Sequence, residues 1–314
     1  MRSFCHRADV FIFLNLLIAF LLLYAADARF QYQAGTSEAM LPAMGQNRRF
    51  SFIIMGASHA RVFSASGNGQ RVSKIVNAPW LNFSKTAAGL IPEKIYLAQF
   101  YQAGNTADQI IYFLDPFVFY APEWNEQALF LEDEPLRPSM FVTAWQEGAS
   151  SETLVNYVRS KFTPYWLLLR QPASSAEDRH TLKERDTEAV RKRLAVLYPQ
   201  GASGQMFSRY QQVFESSIAL VASRGAKISI IMPPTLLGTA PGHDAAIALL
   251  KELKKRYTIT YYDFSSAIQD PRLFTDHDHL NSAGVEFFTE NALKPLLGGQ
   301  QPLLSPHAMQ VPKK

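Results

Sequence analysis

Apolar residues along this chain fall into short runs separated by polar or glycine-containing turns, after one long apolar stretch near the N-terminus. Val10 to Ala26 is apolar throughout except for Asn15, and 29–48 is polar and mixed, with Gly35, Ser37, Pro42 and Gly45. Phe50 to Met55 is a run ending at Gly56, the pattern of a buried parallel strand. Ala78 to Phe83 is a second such run, followed by the small-residue loop Ser84 to Gly89. Ile95, Leu97, Ala98 and Tyr101 then recur at helical spacing between Pro92 and the stop signal Gly104-Asn105. Gln109 to Leu114 gives a third strand, closed by Asp115-Pro116. From 117 to 205 the pattern loosens, with helices expected at Ser151 to Phe162 and Arg185 to Tyr198. It then resumes as helix (Met206 to Ser223), strand (Lys227 to Met232), helix (His243 to Arg256), strand (Thr258 to Tyr262) and helix (Ser282 to Leu296). Strand and helix alternating in this way predict an α/β fold, a three-layer α/β/α arrangement with a mainly parallel central sheet, flavodoxin-like. The expected organisation is one domain over 49–297 carrying a helical and loop insertion at about 117–205, and a disordered tail at 298–314.

Length and composition narrow this further. The 314 residues, 47% of them hydrophobic, suffice for one sizeable core. The net charge of +4 comes without a dense basic cluster, so nucleic acid is not an expected partner. Cys5 is the only cysteine, which rules out an internal disulfide or a thiolate metal site. Arg2, His6 and Arg7 precede the long apolar run, making 1–28 a signal peptide or a signal anchor. Ala26 and Ala28 are small residues at the spacing of a cleavage site, while the run is only slightly shorter than the ~20 residues of a spanning helix. Both outcomes place the rest of the chain outside the cytoplasm, in the periplasm or at the cell surface. Cys5 lies before the apolar run and so does not mark a lipoprotein cleavage site.

Candidate chemistry concentrates at the two ends of the predicted domain. Phe274 to Gly284 reads FTDHDHLNSAG, placing Asp276 three residues before His279, a spacing at which one carboxylate can hold an imidazole. Ser58 follows the first predicted strand and would stand at its carboxyl end, where ligands bind in open α/β sheets. Serine, histidine and aspartate are the parts of a nucleophile, a base and an orienting acid for acyl transfer. Asp278 is an alternative partner for His279, less favourably directed because it is the adjacent residue. His59 and Arg61 either hold an anionic substrate or cap and solvate the helix start. His277, Asp278 and His279 lack a second ligand cluster, so no metal is expected. Tyr120, Trp124, Phe141, Trp145, Tyr165 and Trp166 are either a sugar-binding groove or, more commonly for such residues, core. His180 and His243 are expected at the surface.

Gly56-Ala57-Ser58, the small-residue loop after Asn82, the strand ending at Asp115, and Asp276 to Asn281 with Gly284 together resemble the SGNH (GDSL-like) hydrolase superfamily. The likeness is to its membrane-anchored or periplasmic branch, which includes alginate O-acetylation proteins and the D-alanyl transfer protein of teichoic acid systems. It runs in order from about Arg49 to Leu296 and is weakest over 117–205. The resemblance implies Ser58 as nucleophile, His279 as base and Asp276 as the orienting acid, with Gly89 the nearest match to an oxyanion donor. Asp115 stands where the third block of the family would bring an asparagine, and His59 completes the expected substrate-binding set. Ala57 replaces the aspartate of Gly-Asp-Ser, and Leu114-Asp115-Pro116 replaces Gly-x-Asn-Asp. The implied function is an extracytoplasmic serine acyl esterase or O-acyltransferase without cofactor, acting on a cell-surface glycan, a similar acylated polymer or a small ester. The alternative is a non-catalytic envelope protein that binds glycan or a membrane acyltransferase partner.

Overall fold

A computed structural model describes residues 2–29, 39–169 and 180–304. The first strand, β1 (Arg49–Gly56), lies between β2 (Trp80–Asn82) and β3 (Thr106–Phe113); β4 (Lys227–Met232) and β5 (Ile259–Asp263) follow, in the order β2-β1-β3-β4-β5 with β3 at the centre. All four pairings are parallel. Register places Leu81, Ile53, Ile110, Ile228 and Ile259 in one row across the sheet, each residue paired to the next. β-branched and aliphatic side chains suit a pleated surface covered on both faces.

The period of two sorts each strand between two cores. Ile53, Met55, Ile110, Tyr112, Ile228 and Ile230 face one core, into which the helices Leu90–Gln102, Gly204–Ser223 and His243–Arg256 send Tyr96, Phe214 and Leu250. Phe52, Ile54, Ile111, Phe113 and Ile231 face the other, with Val72 of Asn68–Val76 and Val285 and Phe288 of Ser282–Phe288. The fold is thus three layers, α/β/α, as the alternating pattern predicts. The last helix departs from regular winding: Ser282–Phe288 passes through a π-helical turn, Thr289–Leu293, into Lys294–Leu297. Pro295 lies just beyond that turn and has no amide to donate, so the ladder cannot continue unchanged.

The segment before β1 and the insertion are docked on the sheet layer. Met40 and Met44 are buried, and the amides of Met40 and Leu41 donate to the two carboxylate oxygens of the buried Glu134, at 2.6 and 2.9 Å. The Tyr96 hydroxyl donates to the same carboxylate at 2.9 Å. The rest of the expected linker, 30–38, lies outside the described residues, as does 305–314 of the expected tail. Leu304 is buried, and its amide and that of Leu303 donate to the Asn291 carbonyl. Insertion aromatics divide: Tyr120 and Trp166 are core, whereas Phe141, Trp145 and Tyr165 are exposed, a correction to the expectation of a common core or groove. The N-terminal helix, Arg2–Arg29, is long and apolar enough to cross a membrane, and most of its apolar run, from Val10 to Leu22, is exposed.

β1 ends at Gly56, whose φ of +141° favours glycine. A Cβ there would stand 2.6 Å from the Phe113 carbonyl oxygen and 3.0 Å from the Ala60 Cβ. Gly56→Ala is expected to destabilise the protein by about 1–3 kcal/mol through overpacking and strain, measured as a lower unfolding midpoint in urea. An unchanged midpoint would mean that the turn after β1 is free to adjust.

Candidate functional site

The strands share one direction, so the loops leaving β1, β2 and β3 emerge at the same edge. Ser58 opens a single helical turn, Ser58–Arg61, directly after β1, and the Ala57 carbonyl accepts from the amides of Ala60 and Arg61. The loop after β2 is fixed by Asn82: its amide group donates to the Ala60 carbonyl at 2.8 Å and to Ser64 Oγ at 3.0 Å, while its Oδ1 accepts from the Ser84 amide at 2.9 Å. That side chain ties the small-residue loop to the turn carrying Ser58.

The Phe274 to Gly284 segment is held by its own residues. Asp276 Oδ1 accepts from the amides of Asp278 (2.9 Å) and His279 (2.8 Å), bending the chain back so that His279 Nδ1 donates to the same carboxylate at 2.9–3.0 Å. Asn281 caps the next helix by accepting from the Gly284 amide at 3.0 Å, and its Nδ2 donates to the carbonyls of His180, Arg272 and Phe274. Gly284 packs so tightly against the chain that a Cβ would lie 2.1 Å from the Leu273 carbonyl oxygen. His279 Nε2 then lies 2.8 Å from Ser58 Oγ, which donates to it across 221 positions of sequence. Ser58, His279 and Asp276 are therefore in line, within the spacing general-base activation requires.

A second set of charges lies beneath this line. His59 is buried rather than solvating a helix start, and with Asp115, Phe117 and Leu197 it borders a small cavity. Its Nδ1 is 2.5 Å from Asp115 Oδ1, and its Nε2 is 3.3 Å from Asp278 Oδ2, an ion-pair contact without hydrogen-bond alignment. Asp278, also buried, lies 3.4 Å from His279 Nδ1 through Oδ1 and accepts from Arg193 Nε at 2.6 Å through Oδ2. Burial alone would strip the proton from His59, but Asp115 and Asp278 outweigh it and push its pKa up to about 10. Burial opposes ionisation of Asp278, yet the close contacts and positive charge of His279 and His59 hold it well below the usual carboxylate range. His279 is raised as well: burial acts downward, and the bonds to Asp276 and Asp278 overcome it. Asp278 is thus a second partner of His279, closer to the chemistry than its adjacent position in sequence suggests.

A cavity of about 220 Å³ opens beside Ser58 and His279, bounded by Ala57, Ala87 and Ala88 on the small-residue side and by Phe117, Trp124, Leu197 and Arg193. Two of the predicted ligand-facing residues are turned elsewhere. The Gly89 amide donates to the Trp124 carbonyl at 2.9 Å and is already engaged there. Asp115 points its carboxylate at His59, below the cavity. Among the described residues the amides of Ser58 and Ala87 have no acceptor within the protein, and Ala87 holds a φ of +57°, uncommon for a residue with a Cβ. Arg193, on the helix Thr187–Leu197, brings the insertion to the site, and His277 Nε2 accepts from the Asp186 amide at 2.9 Å at the start of that helix. His180 is exposed, with Nδ1 2.6 Å from the Thr275 carbonyl, and His243 is partly exposed, with Nε2 2.7 Å from Asp263. A larger cavity, about 560 Å³ between Met40, Arg61 and Trp80, contains none of the three in-line residues.

Ligand atoms of His59, Asp278 and His279 lie within 4.8 Å of one another. An ion drawing on all three would compete with Ser58 for His279 and with Arg193 for Asp278. No family model matches the chain, and no curated protein matches it in sequence.

The raised pKa of His59 carries a stability consequence. The folded state holds this proton more tightly than the unfolded state, so the contribution is complete below about pH 6.5 and is lost as pH rises through about 10. Wild-type melting temperature is expected to fall across that window, and His59→Gln to flatten the fall. His59→Ala, which strands two buried carboxylates, is expected to cost about 3–5 kcal/mol. Parallel pH profiles for wild type and His59→Gln would contradict a buried imidazolium.

Proposed function

We propose that this chain is an extracytoplasmic serine acyl esterase or O-acyltransferase of SGNH type, acting on a cell-surface glycan or a similar acylated polymer. The observation that carries the chemistry is the line from Ser58 Oγ through His279 to Asp276, at 2.8 and 2.9 Å. In this reading Ser58 Oγ attacks the acyl carbonyl as His279 Nε2 takes its proton. Asp276 accepts from Nδ1 throughout and stabilises the imidazolium that forms. The amides of Ser58 and Ala87 are the donors for the oxyanion. Collapse of the tetrahedral species returns the proton from His279 to the leaving alkoxide and leaves an ester on Ser58. Water, for hydrolysis, or a sugar hydroxyl, for transfer, then attacks that ester with His279 again as base. The cavity's alanine wall and its modest volume favour a short acyl group, and Trp124 and Phe117 offer apolar faces to the rest of the substrate. The membrane-length N-terminal helix, with Arg2 and Arg7 before its apolar run, supports the extracytoplasmic placement.

Asp115, turned to His59 where the resembled family brings an asparagine, favours a second reading: a non-catalytic envelope protein that binds glycan or a membrane acyltransferase. Activity of the full-length protein in detergent on an acetyl ester separates the two. Ser58→Ala is expected to lower kcat by ~10³-fold or more; equal turnover by wild type and variant would overturn the serine assignment.

The pH profile carries a further expectation. His279 must be neutral to accept the proton, and its pKa is raised, so kcat/KM should climb with pH along a limb centred above 6.5. Removing the Asp276 charge in Asp276→Asn should move that limb to lower pH and reduce its plateau. A limb that stays in place would remove Asp276 from its orienting role.

A further inference from the structure

The helix Pro138–Gln146 exposes Pro138, Ser139, Phe141, Val142, Trp145 and Gln146, a solvent face without a single charge. Trp145 is 67% exposed, unusual for the largest apolar side chain. The next helix, Ser151–Ser160, packs against it and exposes Val155 and Val158 together with Ser151, Glu152 and Arg159, and Phe162 just beyond is 50% exposed. Phe141 and Trp145 are four residues apart, as are Val158 and Phe162, so each helical segment gathers its apolar groups on one side. Contiguous exposed apolar surface of this kind marks an interaction site.

The position of this surface identifies what covers it. Arg137, the residue that opens Pro138–Gln146, donates to Asp27 at 2.7 Å, near the C-terminal end of the membrane-length helix Arg2–Arg29. The turn Tyr165–Leu169 packs on that same helix, and Tyr165 is 47% exposed. At about 1.5 Å per residue, Trp145 lies roughly 12 Å along its helix from Arg137. The charge-free face therefore begins where the apolar helix ends. Tryptophan and tyrosine are the residues enriched at the boundary between hydrocarbon and water.

We infer that the outer faces of Pro138–Gln146 and Ser151–Ser160, continued by Phe162 and Tyr165, dock into the lipid interface beside the N-terminal helix. The exposed Arg159 is the adjoining cation for phospholipid headgroups. The domain is then seated on the bilayer by two contacts, one spanning and one interfacial, which restricts its tilt and holds the Ser58 edge at a fixed orientation. This inference rests on insertion of Arg2–Arg29 in the membrane and is independent of the acyl-transfer reading.

Site-directed spin labelling of the full-length protein in vesicles of phosphatidylethanolamine and phosphatidylglycerol tests it. With Cys5→Ser as background, single labels are placed by Trp145→Cys, Val155→Cys and Phe162→Cys. Leu17→Cys reports on the apolar helix, and Lys255→Cys, on an exposed side chain, is the aqueous reference. The expected ratio of oxygen to nickel-chelate accessibility is several-fold higher at 145, 155 and 162 than at 255. Lipid-type values at 17 with aqueous values at the three insertion positions would overturn docking alone. Aqueous values at 17 as well would overturn docking and the membrane anchor together. Low accessibility to both reagents at 145, 155 and 162 would place protein, not lipid, on the face and equally overturn the proposal.

Discussion

Five strands running in one direction bring every strand's carboxyl end to a single edge of the sheet, and the site depends on that constraint. β1 delivers Ser58, β2 the loop that carries Ala87 and Ala88, and β3 delivers Asp115, so residues distant in sequence need no special connection to meet. The 2.8 Å contact between Ser58 and His279 closes the arrangement from the opposite end of the chain. It is possible because Phe274 to Gly284 is tied down at both ends: Asp276 binds two amides and the imidazole, and Asn281 binds the amide of Gly284 and the carbonyls of His180, Arg272 and Phe274. The imidazole is placed by local geometry, and the serine by sheet register.

Beneath that contact the site solves an electrostatic problem. Asp115 and Asp278 are both buried, and either would be costly to keep ionised alone. His59 between them and Arg193 against Asp278 supply the compensating charge. Asp278 then reaches His279 Nδ1 at 3.4 Å, so the imidazole is flanked by two carboxylates while a neighbouring imidazolium opposes its second proton. Charges of both signs converge on one ring, and the balance between them sets when that ring can act as a base.

Much of the fold is legible in the apolar runs, because strands buried on both faces leave continuous hydrophobic stretches and their bounding glycines and prolines are visible. β1, β3, β4 and β5 fall within a few residues of where the pattern places them. Asp276 and His279 are legible for a similar reason, since a three-residue spacing is a local geometry. The pairing of His59 with Asp115 spans 56 positions, and that of Asp278 with Arg193 spans 85, and no periodicity encodes either. Gly89 misleads because a glycine in the right loop says nothing about which carbonyl its amide has already engaged. The insertion is legible only in part: its charged helix contributes Arg193 to the site, and three of its aromatics remain on the surface.

The proposed reaction turns on activation of Ser58 by His279. Reaction of the full-length protein with a fluorophosphonate, followed by mass analysis of the proteolytic peptides, addresses it most directly, because the probe records which serine is nucleophilic without requiring the natural substrate. A single adduct is expected on the peptide containing Ser58, formed in the wild type and strongly suppressed in His279→Ala. An absence of adduct at Ser58, or equal labelling of the two proteins, would remove His279 from that role.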